Sequence, residues 1–284
     1  MIVLSSVCEM QEMAESARRE GKRIGLVPTM GYLHEGHLSL IRRAKTECDV
    51  VVTTIFVNPT QFGPHEDFSR YPRDLERDTR LAASAGTDML CTPLAEEIYP
   101  LGYRSFIDVE VIASMLEGKS RPTHFRGVAT IVAKLFNIVR PHVAVFGQKD
   151  YQQAVVIRQM AMDLNFDLDI IVAPIVRESD GLALSSRNVL LTVPERAQAV
   201  VLSQSLCEAE HLIAAGEQSA SVILGKMRQL IVKQPLATID YLSIADSASL
   251  EEQSVLKAGA SLLVSLAVTF GSTRLIDNTV VIVP

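Results

Sequence analysis

Ile24-Gly25-Leu26-Val27-Pro28-Thr29-Met30-Gly31-Tyr32-Leu33-His34-Glu35-Gly36-His37 runs from a short apolar segment through a glycine-marked turn into an amphipathic one, Leu38-Ser39-Leu40-Ile41-Arg42-Arg43-Ala44. This is the pattern of strand, turn and helix. It places His34 and His37 in the opening turn of the helix, three residues apart and so on one face. The N-terminus of a helix carries unpaired N–H groups and a partial positive charge, and anions settle there. Two imidazoles add donors, and Gly36 leaves room for a ligand to approach the backbone. Read this way, the stretch is a site for the phosphates of a nucleotide. A plainer reading keeps the two histidines as a helix cap. A zinc site fits less well, because His-Glu-Gly-His lacks the i,i+4 spacing of zinc proteases. There is no nearby cysteine, and His65 falls in a separate loop.

Outward from this stretch the chain alternates. Residues 7–20 have helical periodicity and stop at Gly21. Residues 49–58 read as a second strand, apolar on both faces like a buried parallel strand. A long polar loop over 58–72 follows, and a loop of that length in a compact domain is usually functional. A helix over 73–85 closes at Gly86, and a strand over 88–91 comes next. A further strand is expected over 106–111. A basic loop over 119–127 precedes a helix over 128–139. A strand over 142–146 enters Gly147-Gln148-Lys149-Asp150, followed by a helix over 151–164 and a strand over 168–172. Such alternation predicts an α/β fold with a Rossmann-like parallel sheet. Ligands of such sheets bind beyond the carboxyl ends of the strands. The histidine stretch, the loop from Asn58 and the turn at Gly147 all follow strand ends.

After Pro174 the texture changes. Helices are expected over 194–215 and 219–233, and strands over 238–245, 261–269 and 273–277. That describes a smaller α+β C-terminal domain. The expected division is a catalytic domain over 1–176 and a second domain over 177–284.

Composition narrows the function classes. The chain has 284 residues, 48% of them hydrophobic and 21% charged, with a formal charge of −6. This argues against a nonspecific nucleic-acid or anionic-membrane binder. The four cysteines, Cys8, Cys48, Cys91 and Cys207, form no CxxC pair and suit reduced thiols. The N-terminus lacks a basic segment of the kind that opens a signal peptide. No stretch reaches the ~20 apolar residues of a membrane span. A soluble cytoplasmic protein is expected.

Several scattered residues have chemistry suited to phosphate. Lys149 stands at a strand end after Gly147. Ser185-Ser186-Arg187 offers two hydroxyls and a guanidinium. Asn58 and Gln61 carry neutral amides able to orient a carboxylate or amine. Each is ordinary taken singly, as are Arg121, Arg126, Gln152 and Gln153; their shared position at strand ends gives most of them weight.

Together these segments resemble the pantoate–β-alanine ligase (pantothenate synthetase) family, part of the nucleotidyltransferase superfamily with an HxGH motif. The resemblance rests on the stretch 28–37 and on Phe56-Val57-Asn58-Pro59-Thr60-Gln61-Phe62, Tyr71-Pro72-Arg73 and His124-Phe125-Arg126-Gly127-Val128. It continues in Phe146-Gly147-Gln148-Lys149-Asp150-Tyr151-Gln152-Gln153 and Leu184-Ser185-Ser186-Arg187-Asn188. Gln148 stands where many members have glutamate, and Thr123 where glycine is usual.

The resemblance implies condensation of pantoate with β-alanine using ATP, through a pantoyl adenylate, giving pantothenate, AMP and diphosphate. It implies catalytic roles for His37, His34 and Lys149, with His37 favoured as acid or donor to the reacting phosphate. ATP would be bound by Met30, Gly31, Tyr32, Leu33, His34, Glu35, Gly36 and His37, and by Gly147, Gln148, Lys149 and Asp150. Val176, Leu184, Ser185, Ser186 and Arg187 complete the ATP set. Gln61 and Gln153 would hold pantoate, Gln61 would also meet β-alanine, and Asn58 would lie on the phosphate side. Mg2+ would bridge the phosphates, with no protein residue assigned as its ligand. A homodimer is implied, with small-molecule substrates as the other partners. The C-terminal domain is expected to act as a lid over the reactive adenylate. Two alternatives stand beside it: an adenylyltransferase acting on a phosphorylated acceptor, which would share the histidine pair, and a noncatalytic nucleotide sensor built on the same fold.

Overall fold

The chain enters on a short strand, β1 (Ile2–Leu4), and an amphipathic helix, α1 (Val7–Arg19), capped by the Ser6 hydroxyl. β2 (Ile24–Thr29), α2 (Glu35–Glu47) and β3 (Val50–Ile55) then form the expected strand–turn–helix–strand unit. α3 (Leu75–Ala85) starts on the Asp74 carboxylate and stops at Gly86, whose φ of +107° is a left-handed C-cap. β4 (Met89–Cys91) follows, then two short helices, α4 (Ala95–Ile98) and α5 (Glu117–Ser120). α6 (His124–Val139) is apolar almost all round and correspondingly buried. β5 (Val143–Gly147), α7 (Tyr151–Asp163) and β6 (Asp169–Ala173) complete the alternation. The computed structural model describes residues 1–64 and 66–284, so His65 of the zinc comparison lies outside the described residues.

Residues 106–111 are not a strand. The Ile107 N–H donates to the Thr130 hydroxyl on α6 at 2.9 Å, and Val111 has a φ of +64°, which breaks extended backbone. β1 went unread because three residues are too few to show a period. α6 begins four residues earlier than its apolar pattern suggests, since His124 and Arg126 occupy its first turn.

Among the described residues, six strands pair in parallel in the order β1-β4-β3-β2-β5-β6. The chain builds outward from β2 through β3 and β4, then returns to lay β5 on the other side of β2. The reversal therefore falls between β2 and β5, where Gly25 pairs with Val143 and Leu26 with Ala144. Alternate strand residues feed two cores. Ile24, Leu26, Val52, Ala144 and Phe146 pack with side chains of α1, α6 and α7. Val27, Val51, Val143 and Val145 pack with α2 and α3. A sheet buried on both faces explains why its strands read as unbroken apolar runs.

The later part of the chain has its own core. The helix expected over 194–215 is divided at Val200 into α8 (Val193–Ala199) and α9 (Val201–Ala214); Val200 keeps near-helical torsions of −59° and −24°. α10 (Ala220–Ile231) follows, then β7 (Ala237–Asp246), β8 (Ser261–Phe270) and β9 (Thr273–Ile282), which form an antiparallel sheet in sequence order.

The chain forms two compact units. The first comprises Met1–Ala113, Arg121–Gln148 and Gln153–Pro174; the second comprises Ser114–Ser120, Lys149–Gln152 and Ile175–Pro284. Two pieces that interrupt the first unit along the chain thus belong to the second unit. No helix among the described residues is long and apolar enough to cross a membrane.

Candidate active site

In the first unit, the site is built where β2 ends. The Thr29 hydroxyl donates to the Thr54 carbonyl on β3 at 2.7 Å and accepts from the Gly31 N–H at 3.2 Å. Gly31 has a φ of +82°, and a Cβ there would stand 2.9 Å from Ile55 Cγ2 and 3.1 Å from an Asp78 carboxylate oxygen. Only glycine fits this corner. The next two N–H groups, of Tyr32 and Leu33, donate to the two oxygens of Asp78 at 2.6 and 2.7 Å. Asp78 is a buried residue of α3, and Arg77 beside it stacks over the Tyr32 ring at 5.1 Å. Burial raises the Asp78 pKa, and the two backbone N–H groups together with Arg77 restrain the rise.

The turn delivers His34 as the N-cap of α2. His34 Nδ1 accepts from the Gly36 N–H at 3.2 Å, and His37 Nδ1 accepts from the His34 N–H at 3.3 Å. The pair forms a reciprocal capping box with imidazoles in place of Ser and Glu, with ring centroids 4.1 Å apart. The plain reading of a helix cap is thus met by both rings. Since each Nδ1 is an acceptor, each neutral ring carries its proton on Nε2. The Gly36 N–H is engaged by His34 Nδ1, and the His37 N–H by the His34 carbonyl at 2.8 Å. Two of the backbone donors at this helix end are thus already engaged within the turn. Glu35 forms an exposed ion pair with Arg42.

β3 ends in the turn that carries the two amides. Asn58 is buried and fully engaged: Nδ2 donates to Gln61 Oε1 at 3.0 Å and to the Gly127 carbonyl at 3.1 Å. Its Oδ1 accepts from the Tyr99 hydroxyl at 2.8 Å and the Thr60 hydroxyl at 3.0 Å. Asn58, expected on the phosphate side, here orients Gln61. The Gln61 Nε2 points to Met30, 3.1 Å from its sulfur, so Gln61 and the histidine stretch meet. Burial pushes the Tyr99 hydroxyl up to about 12, against hydrogen bonds with Thr60 and Asn58, so it stays a neutral donor. Gly127 in the first turn of α6 lies against this turn: a Cβ there would meet the Thr60 carbonyl oxygen at 2.4 Å and Gln61 backbone atoms at 2.6 Å. Arg121, in turn, pairs with Glu66 at 2.5 Å and donates to the Gln61 carbonyl at 3.3 Å.

β5 ends at Gly147, next to β2, and Gln148 opens a short 3-10 turn. A Cβ at Gly147 would find only Leu40 at 3.9 Å, so this glycine is not sterically required. Gln153 lies on the first turn of α7, partly exposed.

The remaining expected residues belong to the second unit. Lys149 is partly exposed and Asp150 exposed; the Lys149 carbonyl accepts from Asn278 Nδ2 on β9 at 2.9 Å. Val176 accepts at its carbonyl from the Leu184 N–H at 3.0 Å, closing a small hairpin. That hairpin presents Ser185 as N-cap of the 3-10 turn Ser186–Leu190, its hydroxyl accepting from the Arg187 N–H at 3.3 Å; Ser186 is buried. Among the described residues no group of three His, Cys, Asp or Glu side chains gathers as a metal site would require.

A family model described as pantoate-beta-alanine ligase matches residues 2–280. The chain belongs to the pantoate–β-alanine ligase family. Its reaction is the joining of pantoate to β-alanine through an amide bond, and the protein is a ligase. A pantothenate synthetase of Pelotomaculum thermopropionicum is 54% identical over 280 residues, covering 99% of both chains. One from Geobacter sulfurreducens is 52% identical over 280 residues, covering 99% of this chain and 98% of that one. The crystal structure of pantothenate synthetase from Thermus thermophilus superposes with a TM-score of 0.91 at 45% identity, covering 98% of this chain and 99% of that one. A pantoate-beta-alanine ligase from Francisella tularensis, complexed with beta-gamma ATP and beta-alanine, gives a TM-score of 0.80 at 36% identity and covers 98% and 97%. The ligase family thus accounts for the whole length over which the motifs run.

Proposed function

We propose that the ligation runs in two steps on this chain, with ATP as co-substrate. In the first, a pantoate carboxylate oxygen attacks the α-phosphorus of ATP, the bond to the bridging oxygen breaks, and diphosphate leaves. In the second, the neutral amine of β-alanine attacks the acyl carbon of pantoyl adenylate. AMP departs with the bonding pair and the new amide nitrogen sheds a proton. Mg2+ is expected to enter as part of the nucleotide substrate, since this ion typically keeps waters and binds through phosphates.

The observation that carries this reading is the state of the two imidazoles. Both Nδ1 atoms accept backbone N–H groups, which fixes both rings as Nε2–H donors at the end of the central strand. Negative charge grows on the α-phosphate and on departing diphosphate, and donors fixed in advance stabilise it without reorganising. His37 is assigned as donor to the reacting phosphate and His34 as its partner. Lys149, Ser185, Ser186 and Arg187 are assigned to the phosphates, Asp150 to the ribose, and Met30 and Val176 to backbone and apolar contacts. Gln61 and Gln153 are assigned to pantoate, and Gln61 also to β-alanine. The oriented amide of Gln61 supports the first of these, since its N–H end is the one a carboxylate or hydroxyl of pantoate requires.

Pantoate-dependent exchange of labelled diphosphate into ATP tests the scheme, followed by pantothenate formation when β-alanine is added. Exchange that ignores pantoate, or exchange that continues at its normal rate in His37→Ala, would sink it.

The lid role of residues 177–284 belongs to the same proposal, because an adenylate exposed to water is lost to hydrolysis. Small-angle scattering with a nonhydrolysable ATP analogue and pantoate is expected to show a smaller radius of gyration than the free protein; an unchanged radius speaks against closure. Assembly as a homodimer follows from the family resemblance and is checked by sedimentation. A cytoplasmic setting suits four cysteines that are all free thiols.

A further inference from the structure

Lys149 follows the end of β5, yet the contacts around it tie it to the C-terminal sheet. The turn Lys149–Gln152 is held at both ends inside the second unit. At one end Asn278 Nδ2 donates to the Lys149 carbonyl at 2.9 Å. At the other, Gln152 Oε1 accepts from the Glu117 N–H at 3.0 Å and its Nε2 donates to the Met115 carbonyl at 2.8 Å. Glu117 is buried and receives a two-pronged ion pair from Arg274 of β9, at 2.6 and 2.8 Å, and Arg274 also grips Asp240 of β7. The piece Ser114–Ser120 thus acts as a bracket between the turn and the sheet.

Asn278 has a neighbour with a parallel task. Asp277 is buried on β9 and accepts a two-pronged pair from Arg177 at 2.6 and 3.0 Å. Its Oδ1 also accepts the Asn278 N–H at 2.8 Å, which couples the two side chains. Arg177 donates in turn to the Gly181 carbonyl at 3.0 Å and bridges Ala183, fixing the hairpin that presents Ser185, Ser186 and Arg187. Burial opposes the charge on Arg177, but Asp277 more than offsets it, and its pKa is raised. Two consecutive residues of one strand therefore hold the two segments that carry the phosphate-side lysine and the phosphate-side serines and arginine. A buried carboxylate and a buried amide side by side on one strand cost stability unless their groups are satisfied. Their arrangement is explained if what they hold is functional.

We propose that Asn278 is a positioning residue for Lys149, and Asp277 for the segment 185–187, so that β9 carries both phosphate-binding segments as one body. This rests on the ligase reading of Lys149, Ser185, Ser186 and Arg187. Asn278 holds the Lys149 backbone carbonyl, so it sets where the side chain starts. A displacement of about 1 Å in such a group costs about a hundredfold in rate.

The test uses the full-length protein and separates the half-reactions. Asn278→Asp keeps the side-chain shape but replaces the N–H donor facing Lys149 with an acceptor. Pantoate-dependent ATP–diphosphate exchange is expected to fall by about tenfold to a hundredfold, with a raised KM for ATP. Conversion of synthetic pantoyl adenylate and β-alanine to pantothenate, which needs no transferring phosphate, should stay within about twofold of wild type. In a Lys149→Ala background the same substitution should cost less than about twofold in exchange, because its route of action is gone. Asn278→Ala serves as the second variant should the aspartate fail to fold, with the same expectations. Normal exchange in a folded variant overturns the inference. So does an equal fall in both half-reactions, or a full additive loss in the Lys149→Ala background. Absence of pantoate-dependent exchange in the wild type would instead overturn the reading of the site itself.

Discussion

Asn58 donates its side-chain N–H to Oε1 of Gln61 at 3.0 Å, and this one bond decides which end of the Gln61 amide faces away from the turn. The Asn58 oxygen, held by Tyr99 and Thr60, cannot rotate into that place without breaking both contacts. The orientation of the Gln61 amide is thus selected by its neighbour Asn58.

Replacing Asn58 by Asp removes both donors and sets a carboxylate against Gln61 Oε1 and the Gly127 carbonyl. The expected result is a KM for pantoate raised by about tenfold or more, with KM for ATP nearly unchanged. Tyr99→Phe removes one of the bonds to the Asn58 oxygen and leaves its donors intact, so the pantoate KM should move by no more than about threefold. Steady-state kinetics with each substrate varied checks both. Equal effects of the two substitutions would refute the orienting role.

Gly127→Ala tests the packing beneath the same turn. The added methyl would stand 2.4 Å from the Thr60 carbonyl oxygen, a backbone atom with no rotamer to escape into. Overpacking of this kind costs about 1–3 kcal/mol. A lowered urea midpoint is expected together with weaker pantoate binding, because the Pro59–Gln61 turn must shift. Gly147→Ala, where the nearest atom is 3.9 Å away, is the control and should fold normally.

Most of the sheet was legible because its strands are buried on both faces and interrupted by glycine caps such as Gly86. The histidine stretch was legible as a strand end for the same reason. What escaped were groups whose role depends on partners far along the chain. Asp78 shares the buried stripe of α3 with Ala82 and Ala85, and a carboxylate on an apolar stripe is a signal that N–H donors lie opposite. The polar pair Asp277-Asn278 inside β9 is a similar signal. Neither tells from local pattern which donors or acceptors it meets, since Asp78 meets residues 45 and 46 positions away and Asn278 one 129 away. Residues 106–111 misled for the opposite reason: their apolar alternation pairs with no strand among the described residues.

Asp78→Asn preserves shape and turns one acceptor into a donor facing the Tyr32 or Leu33 N–H. Leaving a buried donor unsatisfied costs about 1–3 kcal/mol, and the loss should show in urea unfolding. Because these two N–H groups precede His34 directly, exchange of diphosphate should fall more steeply than the aminolysis of supplied adenylate. A variant with a lowered midpoint but unaltered kinetics per folded molecule would confine Asp78 to stability.

His142 gives the fold a pH dependence of known sign. Its Nδ1 accepts the Ile24 N–H at 2.9 Å, a bond that requires the neutral ring and anchors the start of the central strand. Burial lowers its pKa below the ordinary 6.5, helped by the charges of Arg18 and Arg23 and opposed by Asp167. Between the lowered folded value and the unfolded value the unfolded chain binds more protons, so stability falls as pH drops through that window. The contribution is complete above the unfolded value and gone below the folded one. Melting temperature is therefore expected to decline as pH falls through and below about 6.5, before most carboxylates titrate. His142→Asn supplies an acceptor oxygen in place of Nδ1 but does not titrate, and it should lose less over that interval than wild type. Parallel curves for the two proteins would show that the decline has another origin among the remaining histidines.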